Sequence, residues 1–384
     1  MLTATDPATG RIVRELPVAT DAGVEQILAT SATAYKDWRR TAFADRAAVL
    51  QRVAARMRED VERLALLMTE EMGKPIREAR GEVEKSAWCA EHYAANSEAY
   101  LRADDPHVPG CAAAIADLFT DCGATAGIVQ NLPLETARVK AVIQDPRIQA
   151  VSFTGSEKGG AAVASAAAAE IKHAVLELGG SDPCLVFADA ELERAADVIT
   201  LSRIINAGQS CIAAKRIIVE APVYDEMTAL LAERFAALKV GDPRLETTDV
   251  GPIARSDLRD NLHRQVQGSI DGGARCLLGG ELPTKDGWFY PVTLLADVSP
   301  DMPASCEETF GPVGVLQKAA DADEALRMAN DTPYGLAASI WTDATRGAAL
   351  ARELDTGQVA INGIVKTDPR LPSGGVKRSG YGRE

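Results

Sequence analysis

The chain has 384 residues, of which 46% are hydrophobic and 25% are charged, and this composition excludes an intrinsically disordered protein. Its 41 basic and 55 acidic side chains give a formal net charge of −14, which argues against nucleic acid or anionic lipid as a partner, because the mean surface field repels polyanions. The length predicts two or three domains.

The N-terminus and the cysteines bear on the cellular compartment. The first residues lack the basic and apolar regions of a signal peptide, and no stretch approaches about 18 consecutive apolar residues. We therefore expect a cytoplasmic protein without a membrane segment. Seven scattered cysteines and four histidines show no paired spacing, so the sequence predicts neither a disulfide framework nor a metal site.

The first half of the chain changes from helical to alternating patterns. Residues 1–20 read as short strands and turns, and residues 21–101 carry apolar side chains at helical spacing, with a break at Gly73 and Pro75. Residues 136–178 alternate helix, strand, helix and strand, which is typical of parallel α/β units.

The second half repeats this α/β pattern. The segments CLVFADA and KRIIVEA predict strands, and VYDEMTALLAERFAALKVG predicts a helix. The last stretch, residues 371–384, is rich in glycine and basic side chains. The pattern predicts an α/β protein with a doubly wound parallel sheet.

Cys211, in the stretch IINAGQSC, is the best candidate nucleophile. Asn206, Gly208 and Gln209 favour a tight, non-helical backbone that can present the thiol and its own N–H to a reacting carbonyl. The alternative is that Cys211 is a small buried apolar residue, as most lone cysteines are.

Glu177, in the stretch VLELGG, is a candidate general base. A carboxylate within an apolar strand is costly to bury unless it is paired or functional, and burial raises a carboxyl pKa toward the range useful for a base. The alternative is a glutamate on an edge strand that faces water.

Two glycine-containing turns are weaker candidates for ligand binding. In SFTGSEKGG, residues 152–160, a strand runs into a helix whose free N–H groups can face a phosphate, although the dinucleotide fingerprint is absent. In CEETFGPVG, residues 306–314, one of two adjacent glutamates can bind a ribose diol, or both can simply be solvated.

Together these motifs resemble the aldehyde dehydrogenase superfamily. MTEEMGKP, SFTGS, LELGG, GQSC, EETFGPV and the terminal GGVKRSGYGRE occur in the order and at roughly the intervals of that family. LELGGSDP and NAGQSCIAAKR look most like its bacterial succinate-semialdehyde dehydrogenase branch. The resemblance covers nearly the whole chain.

The resemblance implies a covalent mechanism for oxidation of an aldehyde with NADP or NAD. Cys211 forms a thiohemiacetal with the aldehyde, and Glu177 activates water to hydrolyse the thioester that follows hydride transfer.

The same resemblance assigns the cofactor contacts. It places Gly155 and Ser156 at the pyrophosphate, the Leu178 backbone at the nicotinamide amide, Glu308 at the nicotinamide ribose and Phe310 beside the ring.

The resemblance also implies a domain arrangement. Residues 1–176 form an incomplete Rossmann-type nicotinamide-binding domain, residues 177–361 an α/β catalytic domain, and residues 362–384 a return segment with a truncated oligomerisation arm. Members of the family are oligomeric, so a homo-oligomer is expected, weakened by the shortened arm.

The chain departs from the family pattern near Gly110. The Pro-Trp-Asn-Phe-Pro motif and a lysine at a strand end, which normally precede SFTGS, do not occur, so several dozen residues and strands of the cofactor sheet are absent. The asparagine of that motif supplies one of two oxyanion donors, which leaves the backbone N–H of Cys211, and loss of one donor typically costs roughly 10²–10³ in rate.

Two other functions therefore remain open. One is an impaired or inactive remnant that acts as an interaction module, and the other is a thiol-dependent esterase that needs Cys211 and no cofactor. For an anionic substrate, Arg203 and Arg370 are the candidate cations, each with an ordinary surface role as its alternative.

Overall fold

The computed structural model describes residues 1–101, 112–284 and 286–383, so Gly110 and the terminal Glu384 lie outside the described residues. The helices are α1 (Asp21–Trp38), α2 (Phe43–Glu59), α3 (Val61–Met72), α4 (Ile76–Leu101), α5 (Ala112–Asp121), α6 (Thr136–Gln144), α7 (Glu157–Ala169), α8 (Leu192–Ile204), α9 (Tyr224–Ala236), α10 (Ser256–Asp271), α11 (Pro303–Cys306), α12 (Ala322–Asn330) and α13 (Ala344–Leu350). The strands are β1 (Leu2–Asp6), β2 (Arg11–Leu16), β3 (Ala150–Thr154), β4 (His173–Glu177), β5 (Pro183–Val186), β6 (Arg216–Glu220), β7 (Arg275–Leu278), β8 (Thr293–Ala296), β9 (Val313–Ala319), β10 (Ala337–Trp341), β11 (Gln358–Ile361) and β12 (Gly380–Tyr381).

The N-terminal region is helical from residue 21 to residue 101, as the apolar spacing predicts. The predicted break is confirmed, since α3 ends at Met72 and Gly73 follows in a left-handed conformation with φ of 79°. Buried side chains of α2, α4 and α5 form a common apolar core, into which α3 also packs. The antiparallel hairpin of β1 and β2 precedes these helices.

A small sheet follows, with strand order β12-β4-β3. The predicted alternation over residues 136–178 is confirmed as α6, β3, α7 and β4, and β3 pairs with β4 in parallel. The C-terminal strand β12 is antiparallel to β4, with Gly380 opposite Glu177. Apolar side chains of α6 and α7 pack on β3 and β4, so this unit has the layers of an α/β fold.

The large sheet has the order β11-β10-β5-β6-β9-β8-β7 and is parallel except at β7. One apolar core joins it to α8 and α9, and a second joins its other face to α12. Helices on both faces explain why strands β5 and β10 are buried along their whole length. The predicted doubly wound α/β fold is confirmed.

The connection between the two sheets positions the site. Strand β4 of the small sheet ends at Glu177, and β5 of the large sheet begins at Pro183. Pro183 lies opposite Arg216 at the start of β6, and Cys211 precedes that strand by a short loop. The LELGG turn and the Cys211 loop therefore lie side by side between the two sheets.

The domain boundaries at 176 and 361 stay a prediction. The change of sheet falls between β4 and β5, and the return segment reaches the small sheet through β12. Within the described ranges, none of the helices combines the length and the apolarity needed to span a membrane.

Candidate active site

Cys211 lies on a loop whose backbone is left-handed at three successive residues. The φ angles are 54° at Asn206, 54° at Ala207 and 75° at Gly208. A left-handed residue other than glycine costs on the order of 1–3 kcal/mol, and such strain gathers at functional sites. At Gly208 a Cβ would lie 2.3 Å from the carbonyl atoms of Gly311, so the close approach of the two loops requires glycine there.

Side-chain hydrogen bonds hold the strained loop in place. The Asn206 side chain donates to the Gln209 carbonyl at 3.0 Å, and the Gln209 amide oxygen accepts the Ala254 N–H at 2.9 Å. The Asn206 N–H donates to a carboxylate oxygen of Glu78, on α4, at 2.7 Å. The polar residues that the sequence places before Cys211 therefore fix its loop to two neighbouring segments.

Lys215 lies directly beneath the nucleophile loop, and its side chain is 0% exposed. Its ammonium donates to the Cys211 carbonyl at 2.6 Å and to the Ser210 carbonyl at 2.9 Å. The same Nζ atom is 3.4 Å from Oε1 of Glu308. One buried cation thus joins the Cys211 loop to the EETFGPV motif.

The surroundings of Cys211 act on its thiol in opposite directions. Burial is the largest effect and raises the pKa of the Cys211 thiol, since the thiolate loses solvation. The Lys215 ammonium lowers this pKa, whereas the carboxylates of Asp182, Glu308 and Glu177 raise it further. The net shift is upward, so the thiol is mostly protonated at neutral pH in the free protein.

We expect alkylation of Cys211 by iodoacetamide to keep accelerating above the ordinary thiol pKa of about 8.5. The thiolate is the reacting species, and a raised pKa moves its formation to higher pH. Peptide mass spectrometry of samples alkylated across a pH series measures the rate at Cys211 alone. A rate at Cys211 that reaches its plateau below pH 8 would contradict this environment.

Glu177 is the last residue of β4 and is 9% exposed, so it is buried rather than solvated on an edge. Its strand is central in the small sheet, because β3 and β12 flank it. The Glu177 carbonyl accepts the Gly155 N–H at 3.0 Å. Its carboxylate acts on the pKa of the Cys211 thiol, which places the two predicted catalytic groups within electrostatic reach of each other.

The two adjacent glutamates of the EETFGPV motif face different ways. Glu308 Oε1 accepts the Gly180 N–H at 3.1 Å, and a Cβ on Gly179 would lie 2.4 Å from Oε2. Glu307 instead accepts from Gln265 on α10 at 2.9 Å. Glu308 is therefore the glutamate that borders the site, while Phe310, two residues on, is half-buried.

The SFTGS turn leads into α7, and its residues Thr154, Gly155 and Ser156 are exposed. The Ser156 hydroxyl caps the helix by accepting the Gly159 N–H at 3.3 Å. A Cβ on Gly155 would lie 2.8 Å from the Phe153 ring, so a side chain at this position would clash with the ring. The Gly155 N–H donates to the Glu177 carbonyl, and Glu308 accepts the Gly180 N–H, so the turn and the Glu308 carboxylate both border the LELGG segment. This arrangement suits the phosphate and ribose groups of a nicotinamide cofactor.

Leu178 has separate backbone and side-chain roles. Its side chain is buried against α7, where a Cβ on Gly160 would lie 2.5 Å from a Leu178 methyl group. Its N–H donates to the Ser379 carbonyl at 3.0 Å. A contact with a nicotinamide amide through the Leu178 backbone, as predicted, therefore falls to its carbonyl. The cofactor contacts of these residues stay predictions.

Arg203 does not lie where a substrate can reach it. The side chain is 0% exposed, and it donates to the carbonyls of Gly208 at 2.6 Å and Gly311 at 2.8 Å. Burial lowers the pKa of Arg203 to about 10. Its part is to hold the Cys211 loop against the EETFGPV loop, so the interpretation of Arg203 as a substrate cation is wrong.

Arg370 lies on the surface of the return segment. It pairs with Asp368 at 2.6 Å, and its guanidinium lies 5.6 Å from the ring centre of Trp88 on α4. The Trp88 contact places it against the helical region, whereas Asp368 belongs to its own segment. Its suggested part in substrate binding stays a prediction.

The residues that sequence reasoning missed are the buried polar groups behind the nucleophile. Lys215 is one of them, and Asp182 is another. Burial raises the pKa of Asp182 to about 7, and its Oδ1 accepts the Ala337 N–H at 3.2 Å. The available signal was two charged residues, Lys215 and Arg216, at the start of a strongly apolar stretch.

Comparisons with known proteins agree with this arrangement. The sequence model of the aldehyde dehydrogenase family matches residues 1–105 and 101–384. A succinate semialdehyde dehydrogenase of Escherichia coli is 41% identical over 430 residues, which cover 99% of this chain and 93% of that protein. A succinate-semialdehyde dehydrogenase of Mycobacterium bovis is 38% identical over 434 residues, with 99% and 95% covered.

A solved structure gives the same result. The succinic semialdehyde dehydrogenase of Streptococcus pyogenes, in complex with NADP+, superposes with a TM-score of 0.95 at 31% identity, and the match covers 99% of this chain and 95% of that one. The predicted fold and the predicted resemblance are both confirmed. This chain belongs to the aldehyde dehydrogenase family.

Proposed function

We propose that this chain oxidises succinate semialdehyde to the carboxylic acid with NADP or NAD, through a thioester on Cys211. The names of the E. coli, M. bovis and S. pyogenes relatives support this substrate and cofactor. The observation that carries the proposal is the Lys215 ammonium, which ties the Cys211 loop to Glu308, while Glu308 in turn holds the LELGG turn at Gly180.

The first step belongs to Cys211. The Cys211 thiol loses its proton to solvent, its thiolate sulfur attacks the aldehyde carbon, the C=O π electrons move to oxygen, and the anion of a thiohemiacetal forms. The Cys211 N–H stabilises the developing negative charge on that oxygen. The half-buried position of Cys211 limits competing water.

A nicotinamide cofactor would be held at its ribose by Glu308 and at its pyrophosphate by Gly155 and Ser156. It would supply the acceptor for the hydride that leaves the thiohemiacetal carbon as the C=O bond re-forms. Glu177 then takes a proton from a water molecule, whose oxygen attacks the thioester carbon. The C–S bond breaks, the acid is released, and the sulfur of Cys211 takes up the proton held by Glu177. The buried position of Glu177 suits a general base.

A specific observation favours the impaired remnant as a second candidate. The E. coli alignment spans 430 positions, whereas this chain has 384 residues, so at least 430 − 384 = 46 positions of the alignment have no counterpart here. The family model matches in two segments that meet at residues 101–105. These facts support a loss within the cofactor-binding region.

The remaining assignments are part of the proposal. The partner is a small aldehyde, with no nucleic acid or membrane partner. We retain a homo-oligomer in the cytoplasm as the expected state. The three-part division at residues 176 and 361 likewise remains proposed.

An assay with purified protein tests the function. We expect succinate semialdehyde to be oxidised with formation of reduced NADP or NADH, and butyraldehyde, which lacks the carboxylate, to react more slowly. We also expect each cofactor that supports turnover to raise the melting temperature, since a ligand of the native state stabilises it. Absence of both turnover and a thermal shift would favour the remnant, and ester hydrolysis without cofactor would favour the esterase.

A further inference from the structure

We propose that Lys215 is a positioning residue for the oxyanion site: by holding the carbonyls of Ser210 and Cys211, it aims the Cys211 N–H at the oxygen of the reacting carbonyl. The inference deepens the proposed function and rests on it for the identity of the substrate. It assigns a part in the reaction to a side chain that touches neither substrate nor cofactor.

The contacts of the ammonium define this part. Nζ donates to two successive carbonyls of the nucleophile loop, at 2.9 Å for Ser210 and 2.6 Å for Cys211. Glu308 Oε1, at 3.4 Å, is its third neighbour. These groups surround a fully buried ammonium, so the direction of each carbonyl is fixed by a charge-assisted hydrogen bond.

The direction of the Cys211 N–H follows from the geometry of the peptide bond. The Ser210 carbonyl and the Cys211 N–H belong to one planar peptide unit, and in a trans unit they point in opposite directions. No cis peptide occurs among the described residues. Since the Ser210 carbonyl points to the buried ammonium, the Cys211 N–H points away from it, on the side opposite the interior.

This alignment matters more in this chain than in a complete family member. The segment expected to carry the second oxyanion donor has no counterpart here. The Cys211 N–H therefore stabilises the negative charge on the tetrahedral oxygen without that second donor. A donor that is misplaced by about 1 Å can cost about 10²-fold in rate. The backbone before Cys211 is strained at Asn206 and Ala207. Loss of the Lys215 hydrogen bonds would therefore let the loop move toward a less strained conformation and turn the Cys211 N–H.

Lys215 also has an electrostatic effect on the Cys211 thiol, and the test must separate this effect from the alignment of the Cys211 N–H. Its charge lowers the pKa of the Cys211 thiol, so replacing it reduces the amount of thiolate as well as the alignment of the N–H. Two reactions of the same thiolate make the separation possible. Alkylation by iodoacetamide displaces iodide at a saturated carbon and forms no oxyanion, whereas acylation by p-nitrophenyl acetate passes through a tetrahedral oxyanion before p-nitrophenolate leaves.

The experiment compares Lys215→Met with the unaltered protein. Both rates are measured at Cys211 across a pH series, and the ratio of acylation to alkylation is taken at each pH, which cancels the thiolate fraction. We expect the ratio to fall about 10²-fold in Lys215→Met. A ratio within about threefold of the unaltered protein would overturn the inference, because an electrostatic or purely structural role changes both reactions alike.

Arg216→Met is the matched control. Arg216 is the next residue, is buried, and also donates to backbone carbonyls, those of Ser181, Met328 and Ala329, none of which lies in the Cys211 loop. We expect its ratio to stay at the value of the unaltered protein. An equal fall in Arg216→Met would show a general effect of losing a buried cation and would overturn the inference.

Two further provisions keep the test decisive. If Lys215→Met does not fold, Lys215→Gln keeps a neutral NH2 group as donor, and the same ratio is expected to fall about tenfold. An unchanged ratio would overturn the inference. Neither reaction uses an aldehyde or a cofactor. A protein that fails to oxidise succinate semialdehyde therefore still yields both rates, so the proposed function and this inference fail separately.

Discussion

Replacement of Cys211 by serine is expected to abolish aldehyde oxidation, with kcat falling by about 10⁵–10⁶-fold, as loss of a nucleophile does in other covalent enzymes. Serine keeps the size and polarity of the side chain, but its hydroxyl ionises far less readily than a thiol. Reduced-cofactor formation measures the loss, and the melting temperature shows that the loop, held by Asn206 and Gln209, remains folded.

Cys276→Ser is the control for this substitution. Cys276 is exposed and lies in edge strand β7, where its thiol contacts only carbonyls of its own turn among the contacts described. We expect its activity to match that of the unaltered protein. Turnover that survives in Cys211→Ser but is lost in Cys276→Ser would contradict the assignment of the nucleophile.

Replacement of Glu177 by glutamine is expected to block the second half of the reaction. Loss of a general base typically costs about 10²–10⁴-fold, and the loss here falls on thioester hydrolysis. Reduced cofactor should therefore still appear in a rapid burst, stoichiometric with Cys211, followed by a slow steady state. Stopped-flow measurement of the reduced cofactor separates the two phases.

Glu220→Gln is the matched control. Glu220 also ends a strand, β6, and its carboxylate accepts the Ala188 N–H at 2.7 Å, at the opposite end of that strand from the Cys211 loop. We expect it to retain an ordinary steady state. A Glu177→Gln protein that lacks the burst as well would place Glu177 in the first step instead of the second.

Much of the fold could be predicted because local patterns determine it. The apolar spacing of residues 21–101 predicts amphipathic helices, and the alternation over residues 136–178 predicts a parallel α/β unit. Both predictions rest on the side-chain periodicity that helix and strand geometry impose. The break at Gly73 could also be predicted, because the proline that follows cannot continue a helix. Glu177 and Cys211 stand out because polar groups in apolar or strained settings are costly.

The rest of the site depends on contacts between residues far apart in the chain, which periodicity does not encode. The local motif does not distinguish Glu308 from Glu307; the family resemblance names Glu308, and the contact that sets it apart is with Gly180, 128 residues away. Arg203 reads as a helix-end surface cation, yet the EETFGPV loop, 108 residues away at Gly311, covers it. Lys215 likewise acquires its role only when the two motifs pack together.

The central claim is that Cys211 and Glu177 act in succession on one thioester, and its most direct measurement is mass spectrometry of Glu177→Gln after reaction with succinate semialdehyde and NADP. The account predicts a succinyl group on the peptide that contains Cys211, accumulating at the rate of the burst. Absence of the adduct while reduced NADP forms, or an adduct on another cysteine, would contradict it.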